Sequence, residues 1–349
     1  MAYTNFHPKD NFSCKLYTGN GSNNHAITGV GFAPDFTWIK ARANAYDHML
    51  FDSLRGTASL RENLRTNSTD ASDNDASNMK TLDSDGFTLN LGGYVNNSVT
   101  FASWNWKANG QGSANTSGSI NTTYTSANTT SGMSIIKYGG NGSAGATIGH
   151  GLGVAPKCVI IKRTDTTSNW IFGNGATGFD KFFYLNASDA ITDNAGTFND
   201  TAPSSTLITL GSWNDVNNSS GTYIAYAFAE KQGFSKFGEY LGNGNANGTF
   251  VYTGFKPAFV MIKRRDAGDN WNIFDNKRVG YNWSNYRLFA NSSAVEETAE
   301  SAQRIDILSN GFKLRDNETD ANGNNNPYVY IAFAEAPLVG SNGLPCTAR

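Results

Sequence analysis

The feature that most constrains what this chain can fold into is a threefold internal repeat. Tyr17-Thr-Gly-Asn-Gly21 returns as Tyr138-Gly-Gly-Asn-Gly142 and again as Tyr240-Leu-Gly-Asn-Gly244. Pro34, Pro156 and Pro257 follow these tyrosines by 17, 18 and 17 positions, and Lys40, Lys162 and Lys263 each stand 6 positions beyond a proline. Such a pattern calls for one supersecondary unit built three times. The units run 12–108, 133–230 and 235–336, with an N-terminal extension at 1–11 and a C-terminal tail at 337–349.

Each unit reads as β structure. After the proline, Phe36, Trp38 and Lys40 alternate with Thr37 and Ile39, and the same alternation recurs over 158–162 and 259–263. Both faces are mostly apolar, which predicts an interior strand. Proline just ahead of it removes little from the ladder. Phe51, Phe172 and Phe274 follow as a matched position. The units close on 101–106, 223–228 and 328–333, where Ala102, Trp104 and Trp106 and their counterparts face a core. The opposite side carries small residues such as Ser103, Ala225, Ala227 and Ala332, over which a lysine stem can lie with its ammonium in water. Helical signal is confined to 292–307, with a short turn near 59–64. Many strands, Asn-Gly and Asp-Gly turns, and no βα alternation predict an all-β chain of three tandem jelly-roll-like antiparallel β-sandwich domains, each around its own aromatic interior.

Residues 109–132 are almost wholly Gly, Ser, Thr, Asn and Ala, and read as a linker or extended strap. The joint at 231–234 is much shorter and implies a more fixed orientation of repeats two and three. With 27 basic against 29 acidic residues the chain has no cationic field for nucleic acid. Cys14, Cys158 and Cys346 are odd in number and widely spaced, so they read as free thiols. No apolar run approaches the roughly 20 residues of a membrane helix, and the start lacks a secretory pattern, which leads to the expectation of cytoplasmic synthesis without membrane insertion.

No catalytic, metal-binding or cofactor-binding residue is assigned. The Tyr-x-Gly-Asn-Gly elements lack the Lys-Ser/Thr of a phosphate loop and read as turns. His7, His25 and His150 have no repeat equivalents, and His48 falls near Asn169, so neither a zinc site nor a Ser-His-Asp triad emerges. Asp52 and Asp275 match, with Gly173 at the middle position; Glu230 matches Glu335, where repeat one has Ala108. Sequence spacing does not set the two facing carboxyls of a glycosidase. Trp170 and Trp271, with Tyr281, Trp283 and Tyr286, sit among polar turn residues and are the candidates for a surface that stacks on sugars or fills a protein interface. Tyr17, Tyr138, Tyr240, the three prolines and the three lysines are read as repeat-defining structural residues, the lysines serving packing or local ion pairs.

The run from Phe12 to Arg55, with Gly29-Val-Gly-Phe-Ala-Pro-Asp-Phe-Thr-Trp-Ile-Lys40 and Phe51-Asp-Ser-Leu-Arg55, together with Asp85-Gly-Phe87 and Trp104-Asn-Trp-Lys107, resembles a family of uncharacterised repeated domains in proteins of tailed, often marine, bacteriophages. The resemblance is weaker in repeats two and three, which lack the Asp-Ser-Leu-Arg run. It implies a virion structural, fibre or decoration protein on the particle surface, with other virion proteins as partners and a homotrimeric assembly. The alternative is a tail-fibre adhesin for a host receptor or surface glycan.

Overall fold

The computed structural model describes residues 6–279, 282, 286–298 and 305–336. Among them the chain is all-β, built from several antiparallel sheets. Each repeat opens on a strand (Phe12–Thr18, Met133–Gly139, Ser235–Leu241) that lies beside its closing strand (Thr100–Trp106, Thr222–Phe228, Pro327–Phe333). The closing strand lies in turn beside the post-proline strand (Phe36–Ala41, Cys158–Arg163, Phe259–Arg264). A fourth strand (Met49–Asp52, Trp170–Asn174, Asn272–Asp275) and a fifth (Leu64–Arg65, Gly178–Tyr184, Leu288–Phe289) extend this inner sheet. The register is common to all repeats: Trp38 faces Trp104, Ile160 faces Tyr226 and Met261 faces Ile331. Both neighbours of the closing strand are occupied because its side chains are apolar or small on both faces, as an interior strand requires.

A smaller outer sheet covers one face of each inner sheet. It pairs His25–Thr28 with Gly86–Leu89 in repeat one, Ala146–Gly149 with Leu207–Leu210 in repeat two, and Phe250–Tyr252 with Gly311–Leu314 in repeat three. These layers enclose private cores, for example Ile39, Phe51 and Phe101 against Ile27, Phe87 and Leu89. The other face of all three inner sheets points to one common core, which joins Phe36, Trp104 and Trp106 to Ile160, Tyr226 and Phe228 and to Phe259, Ile331 and Phe333. The expectation of a separate aromatic interior per repeat is therefore corrected. The large-residue side of each closing strand is buried by the other repeats, and the small-residue side by its own outer sheet.

Trp106 shows how tightly the repeats share this core. Its ring centroid lies 4.9 Å from Phe12 and 5.2 Å from Phe36 of its own repeat, 6.5 Å from Phe228 of repeat two, and 5.7 and 5.5 Å from Phe259 and Phe333 of repeat three. Each such ring fully buried contributes about 1.5–3 kcal/mol of transfer free energy.

Three further expectations change. The 109–132 segment does not hang free: 124–128 form an edge strand on Met133–Gly139, and Ile120 bridges to Ile148 and enters the repeat-two core. Ile120, with Tyr124 packed against the shared core, anchors this otherwise polar strap. The helix expected over 292–307 is not formed in its described parts, where Glu297 bridges Arg287 and Ile305–Leu308 is a strand. Finally, the register places Gly173, not Phe172, opposite Val159, as Phe51 stands opposite Thr37 and Phe274 opposite Val260. Phe172 instead joins Leu50 and Ile273 in the shared core. Phe179 and Phe198 fill the space above Gly173, where an added Cβ would lie 2.8 and 2.6 Å from their rings.

Candidate functional site at the repeat junctions

The glycine-rich elements are structural in all three copies. The tyrosine hydroxyls of Tyr17, Tyr138 and Tyr240 donate to the carbonyls of Val95, Val216 and Ala321 at 2.7, 2.7 and 2.6 Å. The turns are held by three buried asparagines, Asn96, Asn217 and Asn322, whose Oδ1 atoms accept from the backbone N–H of Asn20, Asn141 and Asn243. Gly19, Gly140 and Gly242 let the chain pass over this site: a Cβ there would lie 2.0–2.3 Å from a backbone oxygen. These asparagines were not singled out in the sequence, although Asn96 and Asn217 each stand 79 positions after their tyrosine.

The repeats are closed into a ring by bonds that recur with the same geometry. Ser72 N–H donates to Thr164 O at 2.9 Å, Ile191 N–H to Arg265 O at 2.9 Å, and Glu296 N–H to Arg42 O at 2.8 Å, so one joins repeats one and two, one repeats two and three, and one repeats three and one. Trp170 Nε1 donates to Arg65 O at 2.8 Å and Trp271 Nε1 to Tyr184 O at 3.0 Å across the first two of these junctions. The matching position at the third is His48, which falls one residue from the approximate alignment with Asn169. Burial drives His48 well below its ordinary basicity, while the carbonyls of Phe289 and Ser292 in repeat three act the other way. Its Nδ1 accepts from Trp38 Nε1 at 2.8 Å. The surface role expected of Trp170 and Trp271 is thus corrected: both are buried and staple one repeat to the next. Tyr286 is half-buried, and Tyr281 and Trp283 lie outside the described residues.

The paired acids are buried at the same junctions. Asp52 Oδ2 receives Arg55 Nε at 2.6 Å and the hydroxyl of Tyr226 in repeat two at 2.7 Å. Asp275 Oδ2 receives Arg278 Nε at 2.6 Å and Nε1 of Trp104 in repeat one at 3.1 Å. Burial alone would raise the Asp275 carboxyl, but Arg278 and the surrounding N–H donors hold it below its ordinary value. The equivalent of these acids in repeat two is Asn174, opposite Cys158 as Asp52 is opposite Phe36, and not Gly173 as read from the sequence. The closing-strand donor is lost in step, since Ile331 stands where Tyr226 and Trp104 stand. The acid and its donor are thus absent together, so neither a buried carboxylate without its donor nor the reverse is left at this junction.

The lysines are buried on the shared-core face, not laid across the small-residue face toward water. Lys162 Nζ donates to Ser168 O and to Thr69 O of repeat one, Lys263 Nζ to Ser188 O of repeat two, and Lys40 Nζ to Ala41 O and Asn44 O. Burial brings all three down to about 8, against the pull of nearby carboxylates. Glu230 and Glu335 link repeats as well: Glu335 Oε1 accepts from Cys14 N–H at 2.7 Å, so the end of repeat three holds the opening strand of repeat one. Cys14 and Cys158 are free and buried, and Cys346 lies outside the described residues.

One junction holds an open cleft. A cleft of about 440 Å³ between repeats one and two is lined by Glu62, Asp73, Asn74, Lys137, Thr164 and Thr222, with Arg55, Ser72 and Tyr223 at its base. Arg55 Nη1 donates to Ser72 Oγ, which donates to Glu62 Oε2, both at 3.0 Å. At the equivalent positions of repeats one and three stand arginines held in ion pairs. Arg265 binds Glu239 at 2.6 Å between the corresponding positions of repeat three, and Glu296 joins Arg42 at 2.8 Å to Arg278 at 3.0 Å. Thr164 stands where these arginines stand, each following the end of its post-proline strand and donating its N–H to the head of the closing strand.

A domain of unknown function, DUF7483, matches residues 7–337. The chain belongs to the DUF7483 family. The one domain covers all three repeats, as their common core leads one to expect. No curated protein and no solved structure matches the chain. Among the described residues of the DUF7483 chain, no group of three or more His, Cys, Asp or Glu is placed to hold a metal ion, and no helix is long and apolar enough to cross a membrane. His25 Nδ1 lies 2.6 Å from Asn96 Oδ1 and His150 Nε2 lies 3.2 Å from Ser204 O, so these two histidines serve separate turns.

Proposed function

We propose that the protein is a non-enzymatic structural component of a bacteriophage virion surface, mounted on the head as a decorating or stabilising protein or forming part of the tail apparatus. The observation that carries this reading is the fate of its repeated polar residues. Lys162, Lys263, Asp52, Asp275, Trp170 and Trp271 all make bonds between repeats, which favours a rigid body over a reactive site. A low-charge surface rich in polar turns suits a particle exterior, and three repeats in one chain already form the ring that three single-repeat subunits would make.

Each repeat is read as a jelly-roll derivative. The opening, closing and post-proline strands lie side by side with His25–Thr28 and Gly86–Leu89 of repeat one paired opposite, as in that fold, while the fourth and fifth strands stay on the inner sheet as a meander. Electron microscopy of the native particle tests the virion assignment. A reproducible interface above about 1,000 Å² with another virion chain is expected; particles that contain no copy of the protein would overturn the reading. A tail-fibre adhesin for a host receptor or glycan is the second reading, and the open cleft between repeats one and two favours it.

A further inference from the structure

We infer that the cleft between repeats one and two is a binding site for a neutral saccharide, of the size of one or two pyranose rings; this deepens the adhesin reading and rests on it. At this cleft the position that carries an ion-paired arginine in the other two repeats is Thr164. At the head of repeat three, Glu239 in the opening strand meets Arg265 just after the post-proline strand. The opening-strand equivalent in repeat two is Lys137, which faces Ile224 as Glu239 faces Val329. With Thr164 in place of the arginine, the Lys137 ammonium has neither a carboxylate nor any other side-chain partner among the described residues.

The remaining groups form a mixed set of donors and acceptors. Glu62 accepts only from Ser72, leaving Oε1 available, and Asp73 is held by Arg65 at 3.5 Å. Asn74 is exposed at the rim, and the hydroxyls of Thr164 and Thr222 lie 2.9 Å apart on the opposite wall. Two carboxylates set against one free ammonium do not select an anion. Carboxylates, an amide, hydroxyls and an ammonium around one cleft instead match vicinal sugar hydroxyls, each of which both donates and accepts. The Arg55 guanidinium at the base is already matched by Asp52, Ser72 and Leu50 O and does not call for a ligand charge. The volume falls within the roughly 300–1,000 Å³ of small-ligand sites.

Saturation-transfer NMR on the full chain tests this with the methyl glycosides of glucose, galactose, mannose, rhamnose and N-acetylglucosamine, and with methyl glucuronoside as the anionic comparator. Transfer to at least one neutral glycoside is expected. Thr164→Arg, which installs the residue type found at the other two junctions, should weaken it at least roughly tenfold. The double variant Lys137→Glu with Thr164→Arg rebuilds the pair seen at Glu239 and Arg265, so it should fold, melt no lower than wild type, and also lose binding. No transfer to any neutral glycoside, preference for the glucuronoside, or binding that survives both variants would overturn the inference. Binding of host polysaccharide that survives both variants would sink this site while leaving adhesion through another surface standing.

Discussion

Truncating Trp106 to alanine should weaken the whole molecule rather than its first repeat. The indole is 2 % exposed and packs on rings from all three repeats, beside a void of about 20 Å³. Replacing tryptophan with alanine in a filled core costs about 3–5 kcal/mol, the lost transfer energy plus the cavity left behind. That is a large part of the roughly 5–15 kcal/mol that holds an ordinary domain folded. Because Phe228, Phe259 and Phe333 lose the same neighbour, the loss should be felt in repeats two and three as strongly as in repeat one. Guanidinium unfolding followed by fluorescence and by circular dichroism should give one coincident transition in wild type, moved to lower denaturant in the variant with its slope unchanged. Hydrogen exchange read by mass spectrometry should show protection of the three closing strands falling together. Separate transitions for the repeats, or loss of protection confined to 12–108, would refute the claim that the common core couples them.

Phe198→Ala should cost about 3–5 kcal/mol, and adding Gly173→Phe, which restores the residue type of Phe51 and Phe274, should recover part of it while destabilising wild type; thermal melts of the four proteins decide this, and additive losses would count against it. Asp52→Asn leaves Arg55 buried without its counter-charge and should cost about 3–5 kcal/mol. Tyr226→Phe should cost about 1–2 kcal/mol, and the double variant less than the sum by about 1 kcal/mol in urea titrations, because the two groups bond each other. Lys162 is held by burial at about 8, whereas an unfolded lysine titrates near about 10.4. Between those values the folded chain has lost a proton that the unfolded chain keeps, so stability from this group rises with pH. Wild type should gain roughly 2 kcal/mol relative to Lys162→Met between about pH 8 and about pH 10, measured from denaturation midpoints, and a flat or falling difference would contradict the burial.

Much of the β architecture was legible because the repeat supplied three independent readings of each strand. The post-proline and closing strands came out with the right residues and the right faces, since alternation reports the pleat directly. Alternation also reports that a face is buried without saying what buries it, so the partner of Trp104 and Tyr226 was taken to be their own repeat. Lys40, Lys162 and Lys263 were misplaced for a related reason: an ammonium is expected in water, and only the fold reveals the carbonyls gathered around it, which for Lys162 and Lys263 include one from a neighbouring repeat. The slip between Phe172 and Gly173 came from matching like with like, when the volume of Phe51 is supplied in repeat two by Phe198 from elsewhere in the chain. The equivalence of His48 with Trp170 and Trp271 was hidden by the change of side chain, and the cleft by its dependence on which residues are missing at Thr164.

The closed junctions carry a consequence for how such a protein can change. In an assembly of three identical subunits, any substitution is imposed on every contact at once, so a gap opened at one boundary opens at all of them and its cost is incurred three times. A single polypeptide that encodes the three units separately escapes this symmetry. Arg42 and Arg265 can keep their ion pairs at two boundaries while Thr164 leaves the remaining one available to be shaped by whatever it meets.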